Sequence, residues 1–203
     1  MNFLMAKLTN QQRKENKRQS ILENAKRVFQ RKGFLDVTMA DIITETQISR
    51  GGIYLYFKSV DEIFIEVLKQ RNSHSLDNIN DEVEHNTPFE DVFNEYLQNQ
   101  KDRLLNHIED SLLRAVYEFY FTHKSPTSRQ FQQEQFAMIK QTILTMLKLG
   151  VSQSKLDDQQ LIPLSEQLMF LIEGLSVLSL TGGLTEQQVD QQFALINQRI
   201  PRV

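Results

Sequence analysis

The 203-residue chain contains no cysteine, which excludes disulfides and thiolate metal sites and leaves nothing to argue for an oxidising compartment. Glycine and proline are sparse, at seven and four. Strand-like alternation bounded by turn residues is scarce as well, whereas apolar residues at helical spacing recur throughout, so an all-α fold is expected. Long apolar runs are also missing. The greasiest stretch, Leu168 to Leu180, already contains Glu173 and falls short of the ~20 apolar residues of a membrane-spanning helix, so no membrane association is expected. Met1 to Leu8 lacks a basic leader followed by a long apolar segment, so no signal peptide is expected and the cytoplasm is the default compartment. What remains is an ordinary globular balance, 40% hydrophobic and 24% charged, too apolar for disorder. The length suits one compact unit or a small domain joined to a larger one.

Net charge is −3, unpromising for a nucleic-acid partner until it is divided along the chain. Residues 1–60 hold eleven Lys and Arg against five Asp and Glu, a net +6 that leaves −9 for the remainder. A basic amino-terminal third and an acidic body imply that one end alone meets phosphate. A solvated helix face explains a charge run equally well, but here the run coincides with a motif.

That motif occupies about residues 37–57. Thr38 has Asp41 three residues on, a capping-box spacing, and Ser49 stands just before a second helical segment. A helix of about two turns, a short turn through Gln47-Ile48-Ser49, and a second helix bearing Arg50, Tyr54, Tyr56 and Lys58 make a helix-turn-helix by geometry. Before it, a helix over about Gln11 to Lys32 places Ile21, Leu22, Ala25, Val28 and Phe29 on one stripe, with Gly33 as its left-handed cap. Lys14, Lys17, Arg18, Lys26, Arg27, Arg31 and Lys32 lie along that helix, within potential reach of phosphates flanking a site. After the motif, Ser59 and Glu62 form another capping box, opening a helix with Ile63, Phe64, Val67 and Leu68 at helical spacing. Further helices are expected over about Pro88 to Asn106, His107 to Phe121 and Ser128 to Leu149, the last closed by Gly150. A carboxy-terminal helical hairpin follows, split at Gly182-Gly183, its second arm opened by the Thr185 to Gln188 capping box and stopped at Pro201.

The segment from about Arg18 to Ile63 resembles the amino-terminal domain of the tetracycline-repressor (TetR) family of bacterial transcriptional regulators. The match runs without gaps through Ile21-Leu22, Ala25, Phe29, Gly33-Phe34, Thr38, Ile42, Ile48-Ser49, Arg50-Gly51, Ile53-Tyr54, Tyr56-Phe57-Lys58-Ser59 and Asp61-Glu62-Ile63. The resemblance implies a three-helix DNA-binding head on a larger helical body that dimerises through its last helices and binds a small effector. The division expected is a flexible basic arm over 1–12, a head over 13–73 and a ligand-binding and dimerisation body over 74–203. Three positions depart from the family pattern. Gln47 stands where the turn usually has Gly, Val60 where a phosphate-binding Lys is usual, and Gly52 where Thr is common. Operator preference should differ accordingly, and Gln47 should adopt its turn with some strain.

On the recognition segment, Arg50 suits bidentate bonding to guanine O6 and N7, or a phosphate contact. Leu55 suits a thymine methyl, or packing within the head. Gly51 and Gly52 permit close backbone approach. Tyr54 and Tyr56 combine apolar rings with hydroxyls for phosphate, and Lys58 partly replaces the absent lysine at position 60. Thr38 and Ser49 cap helices whose free N–H groups themselves attract phosphate. The expected partner is a palindromic double-stranded operator.

In the body, aromatic and thioether side chains are numerous enough to line an apolar cavity for a small hydrophobic effector. His107, Arg114, Tyr117, Phe121, Met146, Phe170 and Glu173 are the candidates, with mutual pairing or core packing as the alternative. Leu168, Leu171, Leu175, Leu178, Val189, Phe193 and Ile196 are the candidates for a homodimer interface; burial within one chain accounts for that apolar face equally well. No cofactor, metal or catalytic residue is expected. Glu82-x-x-His85 occurs once where a di-metal helix site needs two copies, and Gly174-Leu175-Ser176 lacks the second glycine of a nucleophile elbow. A helical protein-interaction adaptor, or less readily a small-molecule enzyme, is the alternative; the adaptor leaves Arg50 to Lys58 unexplained.

Overall fold

The computed structural model describes residues 9–203. Its helices are α1 Asn10–Lys32, α2 Met39–Thr46, α3 Arg50–Tyr54, α4 Val60–Glu84, α5 Phe89–Asn106, α6 Leu113–Thr122, α7 Pro126–Ser152, α8 Leu161–Leu180 and α9 Glu186–Arg199. The described residues form no strand, only an isolated bridge between Leu156 and Arg202. The expected arm over 1–12 is shortened by α1: Thr9 caps it in a reciprocal box with Gln12, so the helix already runs from Asn10. Residues 1–8 of that arm lie outside the described residues.

Local chemistry sets most boundaries. Thr38 and Asp41 form a reciprocal box at α2, Thr185 and Gln188 another at α9, and Ser125 caps α7 with Pro126 in its first turn. The box expected at α4 is half formed: Ser59 accepts from the Glu62 amide, but the Glu62 carboxylate bonds the amide of Lys58. Gln47 ends α2 at φ 55° in the left-handed region, as the turn demanded. Gly33 also has positive φ, 77°, though its ψ of −164° lies outside the left-handed helical well.

Two expected boundaries shift for tertiary reasons. Gly150 does not close α7, which runs on to Ser152; a side chain at Gly150 would meet Leu156 and Phe89, its Cβ falling 2.7 Å from Leu156 Cγ. The glycine is therefore a close-packing site inside a helix. Helix α6 begins at Leu113 rather than His107, because residues 107–112 form a compact loop that buries Ile108 and Leu112. Gln30 ties this loop to α1 through a 2.6 Å bond to the carbonyl of Asp110.

The buried side chains form two clusters. One joins α1 to α4 with α6, through Ile21, Phe29, Phe34, Ile53, Phe57, Phe64, Val116 and Phe119. The other fills the body, from Phe89 and Phe93 of α5 through Met146 of α7 and Leu168 of α8 to Phe193 of α9. The boundary expected at 73/74 falls inside α4, a continuous helix that contributes Phe64 to the first cluster and packs Ile79 against the second. Helix α6, distant in sequence, completes the core of the head: the rings of Phe34, Phe64 and Phe119 pack tilted or edge-to-face with centroids 5.0 to 5.3 Å apart.

Helix α8 is long and apolar enough to cross a membrane, with 20 residues and mean hydropathy 1.5, contrary to the expectation from its sequence. In the fold it is a core helix: Leu161, Leu164, Leu168, Ile172 and Leu175 are buried in the body, and Ser176 bonds the carbonyl of Ile172.

Candidate functional site

The second helix of the helix-turn-helix is a single short turn, residues 50–54. Tyr56 and Lys58, expected on it, lie beyond its end, where the amides of Tyr56 and Phe57 bond the carbonyl of Ile53. Ile53 and Phe57, at 0% and 1% exposure, pin the segment to the head. Between them Tyr54 and Leu55 turn outward. Arg50, Gly51, Tyr54 and Leu55 are exposed, as are Thr38, Ser49 and Lys58, while Gly52 and Tyr56 are half-buried. Leu55 is 80% exposed, which rules out packing within the head. The Arg50 guanidinium sits 5.6 Å from the centre of the Tyr54 ring, and neither residue is held by a carboxylate among the described residues. The surface thus offers two cations, two phenols and an aliphatic tip, with the Thr38 and Ser49 caps at the helix N-termini.

The cations of α1 divide into two groups. Arg18 pairs with Glu66 and lies over the Phe57 ring; Arg27 and Arg31 pair with Glu45, and Lys32 with Asp41 at 2.6 Å. The contact with Lys32, then bonds from Thr38, hold the Asp41 carboxyl down at about 2. These side chains brace the head. Lys14 and Lys17 have no carboxylate partner among the described residues. Lys14 shares a surface groove with Leu55 and Tyr56, and Lys17 lies 4.0 Å from where a Gly52 side chain would begin.

Behind this surface the head is clasped by α6. Glu118 accepts from the amides of Phe34 (2.6 Å) and Leu35 (3.0 Å), and Arg114 links Glu118 to Asp36. Burial pushes the Glu118 carboxyl up, but the two amides and Arg114 outweigh it and hold it below its usual range.

Between head and body lies a cavity of about 330 Å³, bounded by Lys26 and Gln30 of α1, Arg71, Asn72 and Ser75 of α4, Tyr96, Gln100 and Arg103 of α5, residues 111–113, Ile139 and Thr142 of α7, and Ile172 and Glu173 of α8. Burial depresses the pKa of both Arg71 and Arg103, opposed by neighbouring tyrosines and Glu173. Burial raises Tyr96, and raises Tyr120 to about 12. The tyrosine hydroxyls are therefore neutral donors at physiological pH.

Of the candidate effector residues, Glu173 alone lines this cavity, and Tyr117 supports it from behind by donating to Glu173 Oε2 at 2.7 Å. The other five are elsewhere. His107 is exposed near Asp102, Arg114 belongs to the clasp, Phe121 and Phe170 are 71% and 65% exposed, and Met146 is sealed in the body core. Helical periodicity marked them as apolar or polar without saying which helix faces which. Arg71, Asn72, Gln100 and Arg103 were missed; the available signal was that Arg71 falls four residues after Val67, on the buried stripe of α4. The lining also carries three cations and a carboxylate, charges that helical periodicity did not place together.

The candidate interface residues need a similar correction. Leu168, Leu175, Val189, Phe193 and Ile196 are buried inside the chain because the α8–α9 hairpin uses that stripe to close the body core. Leu178 is 48% exposed and Leu171 is half-buried. The outward apolar face instead comprises Ile162, Phe170, Val177, Leu178 and Leu195, with Gly174 open beside them. Glu82 and His85 finish α4, accepting from the Thr87 hydroxyl and contacting the Asp81 carbonyl. Ser176 is buried, bonded to Ile172 and Arg103.

Comparison with known proteins places this geometry in context. Residues 21–67 match the model of the bacterial regulatory proteins of the tetR family. YfiR of Bacillus subtilis (strain 168), an uncharacterized HTH-type transcriptional regulator, is 28% identical over 157 residues, spanning 77% of this chain and 76% of that protein. Among solved structures, a protein from Saccharomonospora viridis assigned as a transcriptional regulator, in complex with choline, superposes with TM-score 0.68 at 25% identity over 92% of this chain and 98% of its own. Reduced NemR of E. coli superposes with TM-score 0.76 at 14% identity over 93% and 98%.

Proposed function

We propose that the chain is a DNA-binding transcriptional regulator of the TetR family, a homodimeric repressor released from a palindromic operator when a small effector fills the cavity between head and body. One observation carries the reading: Arg50, Tyr54 and Leu55 face solvent on a head whose α1 also walls the cavity. Arg50 reads a base edge, the tyrosines, Lys58 and the capped N-termini bind phosphates, and Leu55 meets a thymine methyl. Two heads on one dimer enter successive major grooves ~34 Å apart. The outward face of α8 and α9 supplies the second copy's contact, with Gly174 admitting close helix approach.

Release follows from shared elements. Helices α1 and α4 wall the cavity and also build the head, while α6 grips the α1–α2 connection through Glu118. An effector that favours one arrangement of these helices shifts head spacing, with coupling of ~1–3 kcal/mol typical of such linkage. The choline complex of the Saccharomonospora relative supports small-molecule control. The protein acts in the cytoplasm by binding, without turnover.

Selection of DNA from a random pool by the purified protein tests the reading, repeated with a metabolite extract to detect release. Enrichment of a palindrome is expected. Failure to enrich any palindrome at low salt overturns it.

A further inference from the structure

The cavity carries its own chemical specification. Arg71 is held at Nε by Asn72 Oδ1 (3.1 Å), and Asn72 is in turn held by buried Gln135 (3.0 Å). Both terminal nitrogens of Arg71 have no partner among the described residues. Arg103 is fixed by Gln100 Oε1 (2.8 Å to Nη2) and Ser176 Oγ (3.2 Å), which leaves Nη1 without a partner. Neither arginine has a carboxylate within ion-pair distance among the described residues, although each sits in the field of Glu173. The one carboxylate lining the cavity already accepts from Tyr117. With Lys26 at the rim, three cations face one anion.

Two guanidinium groups positioned by side-chain amides, partly withdrawn from water and lacking a counter-ion, form a receptor for a planar anion. Such groups bind carboxylates through paired N–H donors, and leaving their donors unmet in a low-dielectric site is costly. The hydrogen bonds that Arg71 and Arg103 donate to Asn72 and Gln100 fix the arginines before any ligand arrives, which lowers the cost of binding. A volume of about 330 Å³ stands at the small end of ligand cavities.

We infer that the effector is a compact organic carboxylate, its acid group held between Arg71 and Arg103. This inference rests on the cavity being the effector site. Neutral and cationic compounds of the same shape are excluded, since they leave both guanidinium groups unneutralised.

The test uses the full-length protein and pairs of probes differing only in charge: benzoate with benzamide, phenylacetate with phenylacetamide, hexanoate with hexanamide, and choline as the cation. Binding is read by calorimetry and by the rise in Tm, and operator release by fluorescence anisotropy. At least one acid should bind tenfold or more tightly than its amide and raise Tm, with choline inert. Arg71→Gln and Arg103→Gln should each weaken that acid at least tenfold, with helicity confirmed by circular dichroism. The acid–amide comparison on the unaltered chain stands whatever the stability of the variants. Amides or choline binding as tightly as the acids, no acid binding at millimolar concentration, or a retained acid preference in both variants overturns the inference. An acid that binds without weakening the operator complex leaves the carboxylate site standing and removes the release mechanism. A neutral or cationic compound that displaces the operator does the reverse.

Discussion

The recognition segment and the cavity are built in opposite ways. The first is one stretch of chain, Thr38 to Lys58, whose helix ends are set by side chains three residues away and whose outward face carries single, separate contacts. The second draws its walls from six helices and one loop, residues 26 to 173, and its arginines are positioned by partners up to 73 residues distant. A surface that reads DNA needs only a rigid local frame. A site that recognises a small molecule needs groups converging from every side, and that convergence is available only after folding. Helices α1 and α4, which pack behind the recognition segment and also wall the cavity, are where the two can influence each other.

The most severe way to break the contrast is to disturb those shared elements. Phe64 lies against Phe29, Phe34 and Phe119, fully buried where α1, α4 and α6 meet. Phe64→Ala should cost about 3–5 kcal/mol in denaturant unfolding and impair operator binding and effector response together. Loss of one with the other intact would mean that the two regions are mechanically independent.

A narrower break confines itself to the head. Arg50→Ala should leave stability unchanged while relaxing base preference at one symmetric operator position by about 1–3 kcal/mol, measured by competition with single-base operator variants. Full selectivity in this variant would move base reading to another side chain. Thr38→Ala removes the α2 cap and should cost about 0.5–2 kcal/mol, visible as a lower Tm at neutral pH.

Acid sharpens the comparison further. The Asp41 carboxyl is lowered from 3.8 to about 2, first by Lys32 and then by Thr38. A depressed carboxylate contributes stability that is present above its ordinary pKa and is lost as pH falls toward the folded value. The head of the unaltered protein should therefore lose stability between pH 3.8 and about 2, and Asp41→Asn should flatten that limb in a pH series of unfolding curves. The smallest effect is expected from Lys58→Ala, which should weaken all DNA sequences alike and reduce the salt slope by about 1.

Much of the head was legible from residue order. Thr38 with Asp41, Ser49 ahead of Arg50, and Ile53 and Phe57 four apart are local relations, and each reappears in the fold. The length of α3 was not, because Leu55 and Tyr56 have no helix-ending side chain, and the helix closes through the bonds of the Tyr56 and Phe57 amides to Ile53. In the body the same kind of pattern misled. Met146 and Glu173 both sit on helices of mixed apolar character, yet one is core and the other faces the cavity. Phe170 and Leu168, two residues apart, occupy opposite sides of α8. Gly150 looked like a terminator but lets α7 touch Leu156 and Phe89.

The order of residues by itself determined the helical class, the position of the DNA-reading turn and the concentration of positive charge at one end, since capping, periodicity and charge act over a few residues. Tertiary structure alone decided which α8 face is core, that α6 completes the head, and that Arg71 and Arg103 meet across a cavity. Those outcomes depend on contacts between segments far apart in the chain, and no short-range rule encodes the angle at which two helices pack.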